Sequence, residues 1–341
     1  MEKLWEKVDS VLLLNYQHYW KNPFVNKFLQ TRGSDAPGEE FEGMLLLRKG
    51  KKTIWISHPF NYRQAKKELL GVQTKKYSSR KELQKILKTC SGKKVGYDSR
   101  FTSMASFKRI KKVLKGKKLL DVSLELEGLR EIKEKSEVEK ISRAVKETEK
   151  VLWGVIKGIH AGASEKNILK QITSAFEKNG FDTAFCIVAF GENTSHIHHV
   201  SGETKLAKEM PVLIDCGAKY KGYVADISRS FWFGKNEPLQ YTKAKQKVLA
   251  CLAKIEAELK DGANVHSLWK QTKVLGAKLP HALGHGIGIE EHDFPSGIGE
   301  KCRWALKAEM VLAIEPAIYK KKFGVRIEND YLITKKGFRK L

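Results

Sequence analysis

The chain has 341 residues, of which 41% are hydrophobic and 30% charged, and its formal net charge is +25 at pH 7. This is an ordinary globular composition, with enough apolar material for two domains or one large one. No apolar run approaches the roughly 18 residues that a membrane span requires, and the first residues show no signal-peptide pattern. We therefore expect a cytoplasmic protein that has no membrane partner.

The five cysteines are odd in number, scattered and without a CxxC pair, so neither a disulfide framework nor a structural zinc site is expected. The positive charge fits either a partner such as nucleic acid or a lysine-rich solvated surface. Its densest run, residues 108–118, places Phe107, Ile110 and Leu114 at helical spacing, which predicts an amphipathic helix with a basic outer face. We favour the solvated surface, and a nucleic-acid partner is not expected.

Residues 1–127 alternate short strands and helices. The predicted strands are residues 11–14, 43–49, 52–58, 94–98 and 118–123, and the predicted helices are residues 61–70, 80–89 and 101–115. Gly50 and Lys51 between the second and third strands indicate a tight hairpin. This pattern predicts an α/β domain without a phosphate-binding glycine loop. Its longest loop-like segment, residues 31–40, carries Arg32 and Asp35, either of which could reach a neighbouring site.

The pattern changes near residue 130. Ser136 followed by Glu139 predicts a capping box at the start of a long helix. A second helix is predicted from Ser164 to Lys178. The remaining predicted strands are residues 181–191, 210–218, 222–233, 309–319 and 323–334, and the remaining helices are residues 238–260 and 264–276. We place the boundary within residues 124–135, which gives an α/β domain at 1–127 and an α+β domain at 128–341.

Two strand pairs of the second domain each carry two acidic residues within apolar sequence. These are Asp215 and Asp226 in the first pair, and Glu315 and Glu328 in the second. A buried carboxylate is costly unless it is paired or binds a metal. Four such residues therefore indicate that their side chains converge on positive charge.

A glycine-rich segment at residues 280–292 (PHALGHGIGIEEH) adds His281, His285 and His292. Four carboxylates with one histidine offer more donors than one ion needs, and they suit two divalent ions about 3.5–4 Å apart with bridging carboxylates. Oxygen-rich ligation with a single nitrogen favours Mn²⁺, Co²⁺, Fe²⁺ or Zn²⁺. Because a water between two such ions loses a proton near neutral pH, the expected reaction is hydrolysis of an amide or ester-like bond.

Five motifs together resemble the metallopeptidase family with the pita-bread fold, which includes methionine aminopeptidase, aminopeptidase P, prolidase and creatinase. The motifs are residues 191–199, 213–230, 281–295, 314–316 and 325–330. The resemblance implies a pita-bread (creatinase/aminopeptidase) catalytic domain. The length and α/β texture of residues 1–127 resemble the N-terminal domain of aminopeptidase P, prolidase and creatinase, which implies a homodimer.

The resemblance also implies a role for each matching residue. The implied metal ligands are Asp215, Asp226, His285, Glu315 and Glu328. Among them, Asp226 and Glu328 would bridge both ions, and Glu315 would also be the general base.

Four further residues would act on the substrate or on the ligands. His198 and His292 would bind the substrate and either stabilise the tetrahedral intermediate or pass a proton to the leaving nitrogen. His281 would line the substrate pocket, and Arg326 would orient Glu328 or its partner aspartate. His196 and His199 are interpreted as loop residues. This chain departs from the family pattern at Ile197, Cys216 and Asp293.

The implied activity is hydrolysis of an Xaa-Pro peptide bond, with proline in the second position, by a hydroxide that bridges two divalent metals. Mn²⁺ and Co²⁺ are favoured, and Zn²⁺ and Fe²⁺ are also compatible. The substrate is that of an Xaa-Pro dipeptidase or of an Xaa-Pro aminopeptidase, with a slight preference for the dipeptidase. Lys301 and Arg303 are candidate anchors for a substrate carboxylate. The alternative is a non-catalytic protein of the same fold that binds nucleic acid or protein through its basic surface.

Overall fold

The structure is a computed structural model that describes residues 1–15, 22–32 and 40–341. The chain divides into two compact units, Met1–Leu129 and Arg130–Leu341. Arg32 follows a short strand, whereas Asp35 lies outside the described residues.

The first unit is built on a six-stranded mixed sheet with the strand order β6-β4-β3-β1-β7-β8. Among the described residues, the strands of this unit are β1 (Ser10–Asn15), β2 (Gln30–Thr31), β3 (Gly43–Arg48), β4 (Lys51–Ser57), β5 (Leu69–Leu70), β6 (Gln73–Lys76), β7 (Lys94–Tyr97) and β8 (Lys118–Asp121). The helices described here are α1 (Glu2–Lys7), α2 (Pro23–Phe28), α3 (Pro59–Glu68), α4 (Arg80–Cys90), α5 (Met104–Val113) and α6 (Ser123–Glu131), the last of which crosses into the second unit.

The central strands of this sheet are apolar on both faces. In β1, Leu13 belongs to one hydrophobic cluster and Leu12 to another, because successive side chains point to opposite sides of a strand. Helices cover both faces, and such strands read as continuous apolar runs in the sequence. The predicted amphipathic helix is confirmed, since Ile110 and Leu114 are buried while Lys108 is exposed.

The second unit contains two helical pairs and three groups of strands. Its helices are α7 (Lys135–Gly158), α8 (Glu165–Lys178), α9 (Leu239–Glu256) and α10 (Val265–Lys270). Its strands are β9 (Asp182–Phe190), β10 (Met210–Tyr220), β11 (Tyr223–Val224), β12 (Ile227–Phe233), β13 (Gly284–Gly286), β14 (Val311–Ile314), β15 (Ala317–Lys320), β16 (Phe323–Arg326), β17 (Asn329–Ile333) and β18 (Phe338–Lys340).

Each helical pair covers one group of strands. Helices α7 and α8 pack on the sheet that joins β9, β10, β11 and β12, and their apolar side chains share one cluster with Ile214. Helices α9 and α10 contribute to a second cluster with Leu312 of the β13-β14-β17-β18 sheet. The first cluster also contains Val311 of β14 and Leu332 of β17, so the two sheets contribute to a common interior.

The start of α7 differs from the prediction. The N-cap is Glu134 instead of Ser136, and the capping box pairs Glu134 with Glu137. The Glu137 carboxylate accepts a hydrogen bond of 2.8 Å from the Glu134 amide. The helix therefore begins two residues earlier than predicted, and Ser136 lies within its first turn. Glu134 and Glu137 accept hydrogen bonds from amides that have no partner within the helix.

Three of the four acidic residues interrupt strands that the sequence predicts as continuous. Asp226 lies between β11 and β12, Glu315 between β14 and β15, and Glu328 between β16 and β17. Asp215 is the exception, since it lies inside β10. A break in the strand frees a side chain from the two-residue alternation, so each of these carboxylates can turn toward a shared centre.

Within the three described ranges, no helix is long and apolar enough to cross a membrane.

Two buried tyrosines in the same hydrophobic cluster allow a test of how a hydrogen bond to a buried hydroxyl affects stability. Tyr241 and Tyr331 are both 0% exposed. The Tyr331 hydroxyl donates to Glu256 at 2.6 Å, whereas the Tyr241 hydroxyl has no hydrogen-bond partner among the described residues. Tyr241→Phe should therefore raise the free energy of unfolding by about 1 kcal/mol, and Tyr331→Phe should lower it by about as much. Urea denaturation of the two variants measures both changes, and equal effects of the same sign would contradict this account.

Candidate metal centre

Three candidate ligands from different strand groups meet in the second unit. One ligand atom each from Asp226, His285 and Glu328 lies within 4.8 Å of the other two, and all three residues are buried. His285 is on β13, and its Nε2 atom is 3.6 Å from Asp226 Oδ2 and 3.8 Å from Glu315 Oε1. The structure thus brings the carboxylates of Asp226, Glu315 and Glu328 close to the His285 imidazole. Four of the five predicted ligands therefore lie together.

Asp215, the fifth predicted ligand, is joined to this group through Arg326. Arg326 Nη2 donates to Asp215 Oδ2 at 2.5 Å, and both side chains are buried. Arg326 Nε donates to Ser228 Oγ at 2.8 Å, and that hydroxyl donates to Glu328 Oε2 at 2.8 Å. Arg326 therefore orients Asp215 directly and reaches Glu328 through one serine.

Hydrogen bonds between β12 and the 326–330 segment fix the spacing of the carboxylates. The Glu328 amide donates to the Ser228 carbonyl at 3.1 Å. The Ser230 hydroxyl donates to the Arg326 carbonyl at 2.9 Å and accepts from the Arg326 amide at 3.0 Å. The Asp226 amide donates to Asp330 Oδ2 at 3.0 Å. Asp330 is a buried carboxylate that sequence reasoning did not assign, and it holds the backbone of a candidate ligand.

The carboxylates of the cluster repel one another. Burial raises the pKa of Asp226, and the neighbouring Glu328 raises it further. Burial likewise raises the pKa of Glu315, again with a contribution from Glu328. Burial and the charge of Asp215 raise the pKa of Glu328 to about 8. Negative charge is thus crowded into a space that excludes water.

These residues fit divalent cations. Asp215 Oδ1 and Asp226 Oδ1 are buried without a hydrogen-bond partner among the described residues. Burial, followed by repulsion from His292, lowers the pKa of His285 to about 4, so its imidazole is neutral at pH 7. Its Nδ1 atom is 3.1 Å from the Gly286 carbonyl, and a proton there leaves the Nε2 lone pair for a cation. Carboxylate oxygens with one imidazole form a donor set that suits Mn²⁺, Co²⁺, Fe²⁺ or Zn²⁺.

His281 belongs to a small network that contains Tyr319, a residue missed by sequence reasoning. The Tyr319 hydroxyl accepts from Arg326 Nη1 at 2.7 Å and is 3.2 Å from His281 Nε2. His281 Nδ1 is 3.5 Å from Glu315 Oε2. Burial lowers the pKa of His281 to about 4, with a contribution from Arg326. The only signal for Tyr319 in the sequence is a polar-tipped aromatic four residues after a candidate ligand.

His292 and His198 lie on the open side of the site. The His292 ring stacks on His285 with 4.0 Å between the centroids, and its side chain is 66% exposed. His198 is also exposed. Burial lowers the pKa of both His281 and His292, and His198 is close enough to lower both further. His292 therefore lies against the candidate ligand His285, and His198 lies near both His281 and His292.

The segment that carries His198 is held by one buried carboxylate. Glu165 is 0% exposed, and its Oε1 atom accepts from the Phe190 amide at 2.8 Å and from Asn193 Nδ2 at 2.9 Å. Its Oε2 atom accepts from the Gly202 amide at 2.9 Å and lies 2.8 Å from His199 Nε2. His199 thus has a structural contact. The backbone at Ile197 is fixed as well, since its carbonyl accepts from Arg326 at 3.3 Å.

The segment that carries His292 is held in a similar way. Arg130, whose side chain is 1% exposed, pairs with Asp293 at 2.8 Å and with Glu290 at 2.7 Å. Lys133 Nζ donates to the Phe294 carbonyl at 2.6 Å. Asp293, a departure from the family pattern, therefore acts here as an anchor for the backbone on either side of His292.

The two candidate anchors for a substrate carboxylate are exposed. Arg303 donates to the carbonyls of Glu300 and Cys302 and contacts His266 Nδ1 at 2.9 Å. None of these partners is a candidate ligand or a site histidine, and Lys301 is exposed two residues earlier. The structure does not bring either residue into the cluster described above.

Comparison with known proteins identifies the family to which the chain belongs. The profile of metallopeptidase family M24 matches residues 139–335, and that of the creatinase/prolidase N-terminal domain matches residues 33–132. The chain belongs to metallopeptidase family M24. Its fold is accordingly an α/β N-terminal domain followed by an α+β pita-bread domain, as predicted from the sequence.

Relatives within this family cover most of the chain. An Xaa-Pro dipeptidase of Pyrococcus furiosus is 30% identical over 88% of this chain and 86% of its own length. A peptidase of Staphylococcus haemolyticus is 33% identical over 64% of this chain, and the match spans 64% of that relative.

Solved structures of the same fold agree along nearly the whole length. The prolidase of Pyrococcus horikoshii superimposes with a TM-score of 0.87 at 27% identity and covers 100% of this chain and 94% of that one. The X-Pro aminopeptidase of Thermotoga maritima gives a TM-score of 0.86 at 25% identity and covers 98% and 95% of the two chains. The relatives thus include both proline-directed types that the motifs resemble.

Glu165 offers a test of how the His198 segment is held. Glu165→Gln keeps the side-chain volume but replaces the carboxylate with an amide. One side-chain oxygen that accepts hydrogen bonds in the wild type then becomes an NH₂ group that faces donors. We expect the free energy of unfolding to fall by about 3 kcal/mol, since hydrogen bonds to a charged acceptor contribute about 1.5–3 kcal/mol each. Glu177→Gln on the same helix is the control, because Glu177 is exposed. Urea titration of both variants measures the difference, and similar stabilities would contradict the assigned role of Glu165.

Proposed function

We propose that this protein hydrolyses Xaa-Pro peptide bonds with two divalent metal ions held by Asp215, Asp226, His285, Glu315 and Glu328. The main support is the convergence of buried ligand atoms from Asp226, His285 and Glu328 within 4.8 Å, in a chain of family M24. We assign the bridging positions to Asp226 and Glu328, and we favour Mn²⁺ or Co²⁺ as the ions. Two such ions, when bound, would polarise the scissile carbonyl and acidify the attacking water.

The side chains of this chain supply the remaining requirements of the reaction. Glu315 has the most exposed carboxylate around His285, with 14% of its side chain accessible compared with 6% for Asp226. It is therefore the group best placed to accept a proton from the attacking water. Arg326 holds Asp215 in place and prevents that carboxylate from rotating away from the cluster.

The histidines on the open side would bind the substrate. His198 and His292 are exposed beside the buried ligands, so either can donate a hydrogen bond to the tetrahedral intermediate or a proton to the proline nitrogen that leaves. His281 would line the pocket, with its ring fixed by Tyr319. A shallow cavity of about 400 Å³ lies beside His292 and is lined in part by Lys219, Val224 and Glu291. None of the five candidate ligands lines this cavity.

The non-catalytic alternative has less support. A protein of this fold that only binds a partner would have no need of the buried carboxylates of Asp215, Asp226 and Glu328 beside a neutral imidazole, which are costly to maintain. We therefore assign the excess of positive charge to a solvated surface, and we expect a cytoplasmic homodimer without a nucleic-acid partner.

Hydrolysis of Ala-Pro and Ala-Pro-Ala tests the proposed reaction and its substrate length. The protein should be stripped of metal and assayed after addition of Mn²⁺, Co²⁺ or Zn²⁺. We expect metal-dependent release of alanine from the dipeptide in preference to the tripeptide. Preference for the tripeptide would identify an Xaa-Pro aminopeptidase instead, and the absence of cleavage with every metal would reject the proposal.

A single substitution provides the control for this assay. Asp226→Asn removes one anionic ligand with little change in volume, so hydrolysis should fall by several orders of magnitude while the far-UV spectrum stays unchanged. Asp182→Asn is the matched variant, because Asp182 is exposed at the start of β9. Unchanged turnover in Asp226→Asn would show that the site is assigned incorrectly.

A further inference from the structure

Two cysteines face each other across adjacent strands next to a candidate ligand. Cys186 of β9 lies directly opposite Cys216 of β10 in the antiparallel register. Cys216 is 0% exposed, Cys186 is half-buried, and both are free thiols. Cys216 immediately follows Asp215.

The hydrogen bonds of β9 show which type of cross-strand pair the cysteines form. The Val188 amide donates to Ser201 Oγ, and the Val188 carbonyl accepts from the same hydroxyl, so both groups point away from β10. The Phe190 amide likewise points away, to Glu165. In an antiparallel ladder, hydrogen-bonded and non-hydrogen-bonded pairs alternate. Cys186, two residues from Val188, therefore forms a non-hydrogen-bonded pair with Cys216.

This pairing brings the two sulfur atoms within range of a disulfide. Cα atoms of a non-hydrogen-bonded pair are about 4.5 Å apart, with the side chains close together. Disulfides join residues whose Cα atoms are about 4.4–6.8 Å apart. The register shift in this ladder falls after Gly217, so the pairing is regular from Ile214 to Cys216.

The dithiol lies on the opposite face of β10 from the candidate metal centre. Cys216 belongs to the hydrophobic cluster beneath α7 and α8, and Cys186 packs against that cluster. Asp215, one residue earlier, points to the other face, where it pairs with Arg326. A covalent bond at this position would pull on the strand that presents Asp215 without blocking the substrate space.

We propose that Cys186 and Cys216 are a modification site at which a peroxide forms an intramolecular disulfide. The thiolate of the more accessible Cys186 attacks a peroxide oxygen, which breaks the O–O bond and gives a sulfenic acid and hydroxide; the hydroxide takes up the proton that the Cys186 thiol released and leaves as water. The Cys216 sulfur then attacks that sulfenic sulfur, the S–S bond forms, and a second water leaves. In total, the two thiols lose two electrons and two protons, and one hydrogen peroxide is reduced to two waters.

Mass spectrometry of the full chain tests this site without reference to activity. After brief treatment with hydrogen peroxide and alkylation of the remaining thiols, we expect the mass of the intact chain to show one disulfide and peptide mapping to join Cys186 to Cys216. Cys302→Ser should give the same product, because Cys302 is a half-buried cysteine elsewhere in the unit. Cys186→Ser should form no disulfide. Alkylation of both cysteines after treatment, over-oxidation of Cys186 alone, or a link to another cysteine would overturn the proposal.

A second readout, which rests on the proposed peptidase activity, follows the effect on the metal centre. Peroxide should inactivate the wild-type protein, dithiothreitol should restore its hydrolysis of Ala-Pro, and Cys186→Ser should lose activity several-fold more slowly. Inactivation of the wild type and of Cys186→Ser at equal rates would exclude an effect of the disulfide on the site. If no hydrolysis is found at all, the mass measurement still decides whether the disulfide forms.

Discussion

The crowding of acidic side chains beside one neutral imidazole, with Asp215, Asp226 and Glu328 buried and Glu315 partly so, is the constraint on which the second unit depends. Carboxylates removed from water are stable only when cations or hydrogen-bond donors face them. Within the chain, the side chain of Arg326 supplies part of that charge through Asp215. Asp215 Oδ1 and Asp226 Oδ1 lack a hydrogen-bond partner in the part of the chain that the structure describes, and the pKa of Glu328 is raised, so more positive charge is needed. Divalent cations would supply that charge, so metal binding should be part of the stability of this fold.

The backbone around the centre is adapted to that requirement. Breaks in the strands at Asp226, Glu315 and Glu328 release these side chains from the alternation of a regular strand. Hydrogen bonds from Ser228 and Ser230 to the 326–330 segment then join the two halves at a fixed spacing. The exposed histidines are held by contacts outside the cluster. Glu165 anchors the segment that carries His198, and Arg130 anchors the segment that carries His292. The buried part of the site is thus set by the core, and the open part by two anchored loops.

Much of this organisation could be predicted from the sequence because its signals are local. Periodicity indicated most helices and strands, and acidic residues within apolar runs indicated the candidate ligands. The start of α7 was predicted incorrectly, because two possible capping pairs overlap there and the structure uses Glu134 with Glu137. The strand breaks were not predicted, because apolar sequence flanks each of them; Pro316 is a local signal at one break, since proline cannot donate to a strand ladder. Tyr319, Asp330 and the pairing of Cys186 with Cys216 depend on contacts between distant segments, which no local pattern records.

The central claim is that five side chains, two on strands and three at breaks between strands, hold two divalent ions. Anomalous diffraction from crystals of the protein loaded with Mn²⁺ tests it most directly. This account predicts two anomalous peaks about 3.5–4 Å apart, enclosed by Asp215, Asp226, His285, Glu315 and Glu328. A single peak, or peaks at other residues, would contradict it.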